Sequence, residues 1–340
     1  MHEASKAGKE PLLGLAEARA LAFKTDWAKV DIAVPRKQGV QVWPEVDLQR
    51  LTEFIDWTPY FLTWELKAQY PMILDHAVYG QQARELFADG KKLLDDIIRH
   101  KRAKPKAVAG LWAANSVGDD IEVYANEGRS EVLATLRFLR QQAPTPAPVG
   151  SGQQPIAYCL ADFVAPKSSK RVDYIGAFAC TAGQELEDYA LSLKKGGDDY
   201  KGLLVQALGD RLAEAYAEFL HLQVRKAWGY GESEDLAVAD LIKERYRGIR
   251  PAAGYPSAPD HTEKSALWKL LDAEKNTGIT LTSSFAMHPG SSVSGLYFSH
   301  PQSRYFAVGR LTKEQVQDYA TRKGIELKEA ERWLSPYLAY

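Results

Sequence analysis

Residues 246–310 read YRGIRPAAGYPSAPDHTEKSALWKLLDAEKNTGITLTSSFAMHPGSSVSGLYFSHPQSRYFAVGR, and the rest of the chain is arranged around this segment. Its part RPAAGYP, residues 250–256, cannot form regular structure. Each proline removes a backbone donor, fixes φ and biases the preceding residue towards an extended conformation. Gly254 can adopt a backbone angle that a side chain would forbid. The sequence therefore predicts a rigid, extended binding loop rather than a spacer.

Two side chains flank this loop and indicate what it binds. The planar guanidinium of Arg250 can hold a carboxylate through two parallel hydrogen bonds. Tyr255 adds an aromatic surface, and exposed peptide groups of the loop can read the edge of a purine. A small ligand with a carboxylate and a heterocycle would suit such a loop.

The loop leads into a predicted helix and then a predicted hairpin. Asp260 and Glu263 have the spacing of a capping box, and the helix they begin should stop near Gly278. His261 invites a catalytic role, but we interpret it as a first-turn residue that orients the loop. Residues 293–299 and 304–310 are predicted to pair as two strands across SHPQS. Tyr305 and Phe306 then point to opposite faces, as core aromatics or as part of a ligand site.

Apolar spacing predicts helical structure over four further segments, which are residues 47–56, 80–100, 131–142 and 199–228, the last as one long helix or two abutting ones. Pro59 should end any helix that continues beyond the first, which makes Asp56 a turn or capping residue. The last helix should turn one apolar row inward, formed by Leu203, Leu204, Leu208, Leu212, Tyr216, Phe219 and Leu220. Glu214 lies on its polar side, where it is either an exposed partner of Arg211 or a ligand contact.

Strands are predicted at residues 107–114, 121–124, 157–164 and 174–179, the first two forming a hairpin. Asp119 and Asp120 lie in the turn between these two. We interpret them as a solvated turn rather than a metal site, because no histidine or further acid stands at ligand spacing.

Composition restricts the class of protein. The chain has 340 residues, 45% of them hydrophobic and 26% charged, and its formal net charge is -1. Such a balance argues against a nucleic-acid or membrane-surface partner, and no apolar run is long enough to span a membrane. Cys159 and Cys180 lack CxxC spacing and suggest buried free thiols in the cytoplasm. The motifs of Rossmann methyltransferases, zinc proteases, catalytic triads and phosphate loops are all missing.

Two segments are predicted to lie outside the core. Residues 1–25 look like a linker or tail whose LLGLAEARALAF stretch could form a helix without an obvious partner. Residues 143–155, APTPAPVGSGQQP, have the composition of a flexible surface insertion.

Four stretches carry a resemblance to a known family: RPAAGYP, PDHTEK, SFAMHPGSSVSGLYFSHP and RYFAVG. They resemble the C-terminal activation domain of cobalamin-dependent methionine synthase, and the likeness runs from about Lys24 to the C-terminus. The resemblance implies a single α/β (α+β) domain over residues 26–340. This domain would be C-shaped, with a curved, mainly antiparallel sheet flanked by helices.

The family binds S-adenosylmethionine around an Arg-x-x-x-Gly-Tyr motif, and the resemblance assigns the ligand site residue by residue. Arg250 would hold the carboxylate of the ligand and Asp56 its ammonium. The complete set implied is Asp56, Glu214, Arg250, Ala252, Gly254, Tyr255, Tyr305 and Phe306, with no catalytic residue and no metal ligand. Transfer of a methyl group from a sulfonium needs no general base.

The resemblance also implies the biological role. The domain would supply S-adenosylmethionine as methyl donor for the reductive methylation of oxidised cobalamin. That cobalamin is held on a separate module, since the D-x-H-x-x-G motif that provides its histidine ligand is missing here. The chain would thus be one component of a methyltransferase, methionine synthase, with a flavodoxin-type protein as electron donor. The alternative is a non-catalytic docking module, for the cobalamin domain or the electron donor, that binds its ligand weakly.

Three positions depart from the family pattern and bear on that choice. Ala253 replaces a proline, which costs about 0.5–1 kcal/mol of preorganisation. Ser257-Ala258 replaces Ala-Cys, and His288 stands where a tryptophan is usual. Because position 288 is expected to face the cobalamin module, docking is the property we expect to change first.

Overall fold

Two long neighbouring strands, β2 and β5, form the centre of the sheet in the computed structural model, which describes residues 11–43, 46–147 and 154–340. The described strands are β1 Gly39–Trp43, β2 Lys106–Val117, β3 Asp120–Tyr124, β4 Val132–Arg137, β5 Asp173–Thr181, β6 Thr280–Leu281, β7 Met287–His288 and β8 Ser292–Tyr297. The main sheet has the order β4-β3-β2-β5-β8, with β1 also paired to β2, and every pairing is antiparallel. Strands β6 and β7 form a separate small hairpin.

Helices cover the sheet on both faces. The described α-helices are α1 Leu15–Ala20, α2 Leu48–Thr52, α3 Thr58–Leu62, α4 Gly80–Arg99, α5 Gln184–Lys195, α6 Asp199–Trp228, α7 Val238–Ile242, α8 Lys264–Leu271, α9 Ala273–Thr277, α10 Lys313–Lys323 and α11 Leu327–Trp333. Short 3₁₀ helices occur at Met72–Asp75, Leu160–Phe163, Lys167–Ser169, His261–Glu263 and Ser335–Tyr337. The predicted fold class, helices around an antiparallel sheet, is confirmed.

Alternation along β2 explains the two layers. Successive side chains of a strand point to opposite faces of the sheet. Ala107 and Leu111 join the core cluster that contains the apolar side of α6, whereas Val108 and Trp112 join the cluster that contains α8 and α9. Both faces of β2 are therefore buried, which its nearly continuous apolar sequence requires.

The predicted helix at residues 131–142 is wrong, because β4 occupies Val132–Arg137 and pairs with β3. Leucines at three-residue spacing imitate helical periodicity here, but tertiary contacts decide the outcome. Just beyond β4, the guanidinium of Arg140 is buried between Asp119 and Asp162, 2.6 and 2.7 Å from their carboxylates. An extended chain places this arginine where both carboxylates can reach it.

Two other predicted strands do not form. Residues 157–164 turn into the 3₁₀ helix Leu160–Phe163, because the Asp162 carboxylate accepts a hydrogen bond from the Cys159 amide at 2.9 Å. In the predicted second hairpin, residues 304–310 are not a strand and β8 pairs with β5 instead. Val308 donates its amide hydrogen to the Pro256 carbonyl at 2.8 Å, so residues 304–310 pack on the binding loop rather than on β8.

Three smaller expectations also need correction. Pro59 lies in the first turn of α3 and begins that helix rather than ending one, because a proline there lacks only a donor that needs no partner. Leu203 is 49% exposed, whereas the other predicted inward residues of α6 are buried. Asp119 and Asp120 are buried rather than solvated, since Arg140 and Arg322 bind their carboxylates.

The helix predicted near the N-terminus forms as α1, but it has partners. Leu15 and Ala18 are buried, and Arg19 donates to Asp119 at 2.8 Å and to Asp318 at 2.9 Å. Residues 11–25 therefore pack on the domain, while residues 1–10 lie outside the described part. Of the insertion at 143–155, residues 148–153 also lie outside it, and its described ends meet in a bridge between Thr145 and Ile156.

Candidate functional site

Backbone hydrogen bonds fix the loop at residues 250–258 both before and after its turn. The Pro251 carbonyl accepts a hydrogen bond from Leu296 of β8 at 2.9 Å, and the Pro256 carbonyl accepts one from Val308 at 2.8 Å. Between these points the Gly254 amide donates to the Ala258 carbonyl at 2.7 Å. Backbone bonds thus give the loop the rigidity that the prolines predict.

Gly254 has a φ of 96°, in the region that residues with a side chain rarely adopt. The imidazole of His261 lies against its α-carbon, and a β-carbon at this position would overlap the ring. His261 in turn accepts a hydrogen bond from the ammonium of Lys264 at 2.9 Å, and the same ammonium donates to the Phe285 carbonyl at 2.9 Å. This arrangement supports the interpretation of His261 as a residue that orients the loop.

A cavity of about 790 Å³ opens beside the loop, a volume typical of sites for small molecules and cofactors. Six of the eight predicted site residues line it, namely Glu214, Arg250, Ala252, Tyr255, Tyr305 and Phe306. Apolar side chains complete its wall, among them Phe178, Val293 and Met287. The sequence separation of these residues is large, so the fold brings them together. Gly254 supports the loop without lining the cavity.

Arg250 lies at the deep side of this cavity in an ion pair. Its Nη2 group bonds the carboxylate of Glu218, and its Nη1 group donates to the Tyr246 hydroxyl at 2.6 Å. Its amide donates to the Tyr305 hydroxyl at 3.0 Å. Burial opposes the charge of this guanidinium, yet Glu218 keeps the pKa of Arg250 above its ordinary value. Arg250 is therefore charged and held in place before any ligand arrives.

Sequence reasoning missed Glu218. Its side chain is only 9% exposed, and burial raises the pKa of its carboxyl against the opposing effect of Arg250. The available signal was its spacing, since Glu218 follows Glu214 by one helical turn and so lies on the same side of α6. A charged residue on the side of a helix facing a predicted ligand site could have been included on that ground.

A second cavity, of about 300 Å³, adjoins the first and contains the remaining predicted residue, Asp56. The two cavities share Glu214, Glu244 and Arg250. Asp56 accepts a hydrogen bond from the Thr58 amide at 2.9 Å, so it is a capping residue as well as a cavity residue. Glu214 has no ion-pair partner within the described residues, so of its two possible roles the surface pair with Arg211 is not formed, and its side chain lines both cavities.

A family model described as the activation domain of vitamin B12 dependent methionine synthase matches residues 47–324. The chain belongs to this family. A solved structure described as the MetH reactivation domain bound to AdoHcy is 49% identical in sequence. The alignment covers 97% of the present chain and 100% of the other, with a TM-score of 0.92. The resemblance proposed from the sequence is confirmed.

Membership defines the biological setting of this activation domain. The family belongs to the methyltransferase system that makes methionine, and it works with the cobalamin-binding module of methionine synthase. Within the described residues, no helix is both long and apolar enough to cross a bilayer, and no three potential ligands are grouped to hold a metal ion.

The departures from the family pattern have different surroundings in this activation domain. Ala253 and Ser257 are buried within the loop, 9% and 4% exposed, so both substitutions change its packing. His288 is exposed, with Nδ1 3.7 Å from a carboxylate oxygen of Glu187. Its position on the surface is compatible with the expected contact to a partner module.

Proposed function

We propose that this activation domain binds S-adenosylmethionine in the large cavity and supplies its methyl group to cobalamin on a separate module. The observation that carries the proposal is the buried Arg250 at one end of an otherwise largely apolar cavity. One guanidinium for a carboxylate and a long apolar wall for a nucleoside suit a ligand with these two parts. The AdoHcy bound to the related structure has the same two parts and supports the assignment.

Each predicted residue has a role in this proposal. Arg250 binds the ligand carboxylate, and Asp56 with Glu214 attracts the ammonium from the adjoining cavity, where low dielectric strengthens the interaction. Ala252 and Tyr255 contribute the loop surface beside the adenine. Tyr305 and Phe306 also line the cavity, next to the loop on which residues 304–310 pack.

The chemistry asks little of the protein beyond binding and orientation. A sulfonium is already a good leaving group, so the domain needs neither a base nor a nucleophile of its own. Cobalamin, when presented by its module, would provide the reduced metal centre that accepts the methyl group. A flavodoxin-type protein is the proposed source of the electron, and the open side of the cavity is the proposed face for the cobalamin module.

Calorimetric titration with S-adenosylmethionine tests the proposal. We expect Arg250→Ala to lose about 2 kcal/mol of binding free energy, roughly 30-fold in affinity, because it removes a hydrogen-bonded charge. Arg250→Lys should lose part of this binding free energy, since lysine keeps the positive charge but cannot form the two parallel hydrogen bonds of a guanidinium. The matched control is Arg245→Ala, which removes an exposed arginine paired with Asp240 at 2.9 Å.

The same titration distinguishes the alternative, a docking module with weak ligand binding. That alternative gains some support from Glu218, which already occupies part of the Arg250 guanidinium. Binding by the unaltered chain that is weak and equal to that of Arg250→Ala would favour the docking module and refute the proposed site.

A further inference from the structure

Several carboxylates lie around the single guanidinium of Arg250, where the two cavities adjoin. Arg250 binds Glu218 directly and lies 3.8 Å from Glu244, and Glu214 lines the same two cavities. Two further guanidinium groups lie nearby among the described residues: Arg225 is already paired with Glu234 at 2.9 Å, and Arg211 lines the smaller cavity. Negative charge therefore exceeds positive charge around Arg250 before a ligand enters.

Glu218 is the least solvated of these acids. Its side chain is 9% exposed, against 41% for Glu244. Its Oε1 atom bonds Arg250, while its Oε2 atom is buried with no hydrogen-bond partner among the described residues. A buried carboxylate is stable as an anion only while a paired charge compensates its lost hydration.

The titratable and charged groups near Glu218 come from four parts of the chain. Asp56 lies before α3, and Tyr305 follows β8. Helix α6 contributes Arg211, Glu214, His221 and Arg225, and the segment after α7 contributes Glu244, Tyr246 and Arg250. His221 cannot take a proton readily, because burial and then the two guanidinium groups of Arg225 and Arg250 lower its pKa. Burial raises the pKa of Glu218, and Glu244 adds to this effect.

A ligand carboxylate at Arg250 changes this balance. It would share or displace the Glu218–Arg250 ion pair and place a second buried anion on one guanidinium. Two carboxylates that share a site raise the pKa of one of them strongly. Glu244 is 41% exposed and so keeps much of its hydration, whereas Glu218 is 9% exposed and its Oε2 atom has no hydrogen-bond partner among the described residues.

We infer that Glu218 takes up a proton from solvent when a carboxylate-bearing ligand binds Arg250. The proton forms an O–H bond on the Glu218 carboxyl, and the Arg250–Glu218 ion pair is replaced by an ion pair between Arg250 and the ligand. No bond to carbon or sulfur changes and no electron moves. Glu218 is then a positioning residue. It holds the Arg250 side chain in the free protein, and its ion pair with Arg250 is broken when the ligand binds. This inference rests on the proposed function.

The test is calorimetric titration of the full chain with S-adenosylhomocysteine near pH 7, in phosphate and in Tris. These buffers differ in ionisation enthalpy, so proton uptake appears as a difference in observed heat. We expect uptake approaching one proton, and affinity that falls by up to about tenfold per pH unit above neutrality. 5′-Methylthioadenosine lacks the amino-acid carboxylate. We expect it to bind with the same observed heat in both buffers, which means no proton uptake.

Two isosteric variants identify the proton acceptor. Glu218→Gln should bind without uptake and with a flatter pH profile, whereas Glu244→Gln should keep the uptake. The comparison with Glu218→Gln also removes any contribution from the amino group of the ligand. Titration of the unaltered chain needs no variant, so an absence of proton uptake with S-adenosylhomocysteine would overturn the inference even if Glu218→Gln folds poorly.

The outcomes are separable. Binding by the unaltered chain without proton uptake, or equal uptake in Glu218→Gln, or equal uptake with 5′-methylthioadenosine, would overturn the inference and leave the proposed function intact. No binding of S-adenosylhomocysteine or S-adenosylmethionine at any pH would overturn the proposed function and the inference with it.

Discussion

At the scale of single residues, Gly254 meets two independent demands. Its positive φ favours glycine, and the His261 ring leaves no room for a β-carbon. The first demand is local and concerns the backbone alone. The second arises only because the 3₁₀ helix His261–Glu263 folds back against the loop. The consequences of the two can be measured separately.

Gly254→Ala should therefore destabilise the folded chain and also weaken ligand binding. We expect a loss of about 2–3 kcal/mol of unfolding free energy, because strain and overlap combine. Gly278→Ala is the matched control, since Gly278 has a φ of 80° with open space around it. It should cost about 1 kcal/mol and leave ligand affinity unchanged. Chemical denaturation and calorimetric titration measure both effects, and equal losses in the two variants would contradict the role of His261.

His300 illustrates a titration that belongs to the fold rather than to the site. Burial, with a smaller effect of Arg247, lowers the pKa of His300 to about 4. Its Nδ1 accepts a hydrogen bond from the Gln302 amide at 3.1 Å, and Thr25 bonds its Nε2 at 3.2 Å. The folded state therefore stabilises the neutral form of the His300 imidazole.

This shift predicts acid sensitivity with a defined sign. Since the pKa of His300 is lower in the folded state than in the unfolded state, its stabilising effect is complete above about pH 6.5 and declines as the pH falls towards about 4. We expect a loss of about 2 kcal/mol over this window. Urea denaturation against pH should show a shallower slope for His300→Gln, and parallel slopes would refute the assignment.

At the scale of elements, α6 shows how far periodicity reaches. Its 30 residues form one helix rather than two abutting ones, and the Asp198 carboxylate caps it by accepting from the Lys201 amide at 3.1 Å. The apolar row is broader than the buried side, so Leu203 lies on the solvent side while Leu204 and Leu208 are buried. Spacing predicts the helix, but the edges of the buried side depend on what packs against it.

Two leucines of α6 test this difference. Leu208→Ala should cost about 2–4 kcal/mol of unfolding free energy, because it opens a cavity where the side chain is 0% exposed. Leu203→Ala should change it by less than about 0.5 kcal/mol, since this side chain is 49% exposed. Thermal and urea denaturation give both values. A comparable loss at the two positions would mean that Leu203 is covered in solution.

At the scale of the whole molecule, buried ion pairs join distant parts of the chain. Arg19 of α1 and Arg140 both bind Asp119, at 2.8 and 2.6 Å. Arg322 of α10 binds Asp120, the first residue of β3. The hairpin of β2 and β3 thus connects the N-terminal helix, the chain after β4 and the C-terminal helix. Cations around buried carboxylates make these contacts mutually dependent.

The docking of α1 can be tested with one substitution at two neighbouring positions. Ala18 is 0% exposed, whereas Ala16 lies on the exposed side of the same helix. Ala18→Glu should lower the melting temperature by several degrees, because it buries a charge or detaches the helix. Ala16→Glu should leave it unchanged. If the two variants melt alike, residues 11–25 behave as the tail that the sequence suggests.

Local patterns alone gave the helices at residues 80–100 and 199–228, the hairpin of β2 and β3, the cap at Asp260 and the irregular loop at Arg250. These features follow from periodicity, capping and proline geometry, which act within a few residues. Family resemblance added the ligand and the list of site residues, six of which share one cavity.

Tertiary structure decided the rest, because it depends on partners far apart in sequence. Within residues 131–142 the chain forms a strand, rather than the predicted helix, because it pairs with β3. Residues 304–310 pack on the binding loop instead of pairing with β8. The ion pair between Arg250 and Glu218 joins residues 32 positions apart. A pattern can indicate that a segment is a helix or that an arginine is available. The packing of α6 against the loop determines which carboxylate forms the buried ion pair with that arginine.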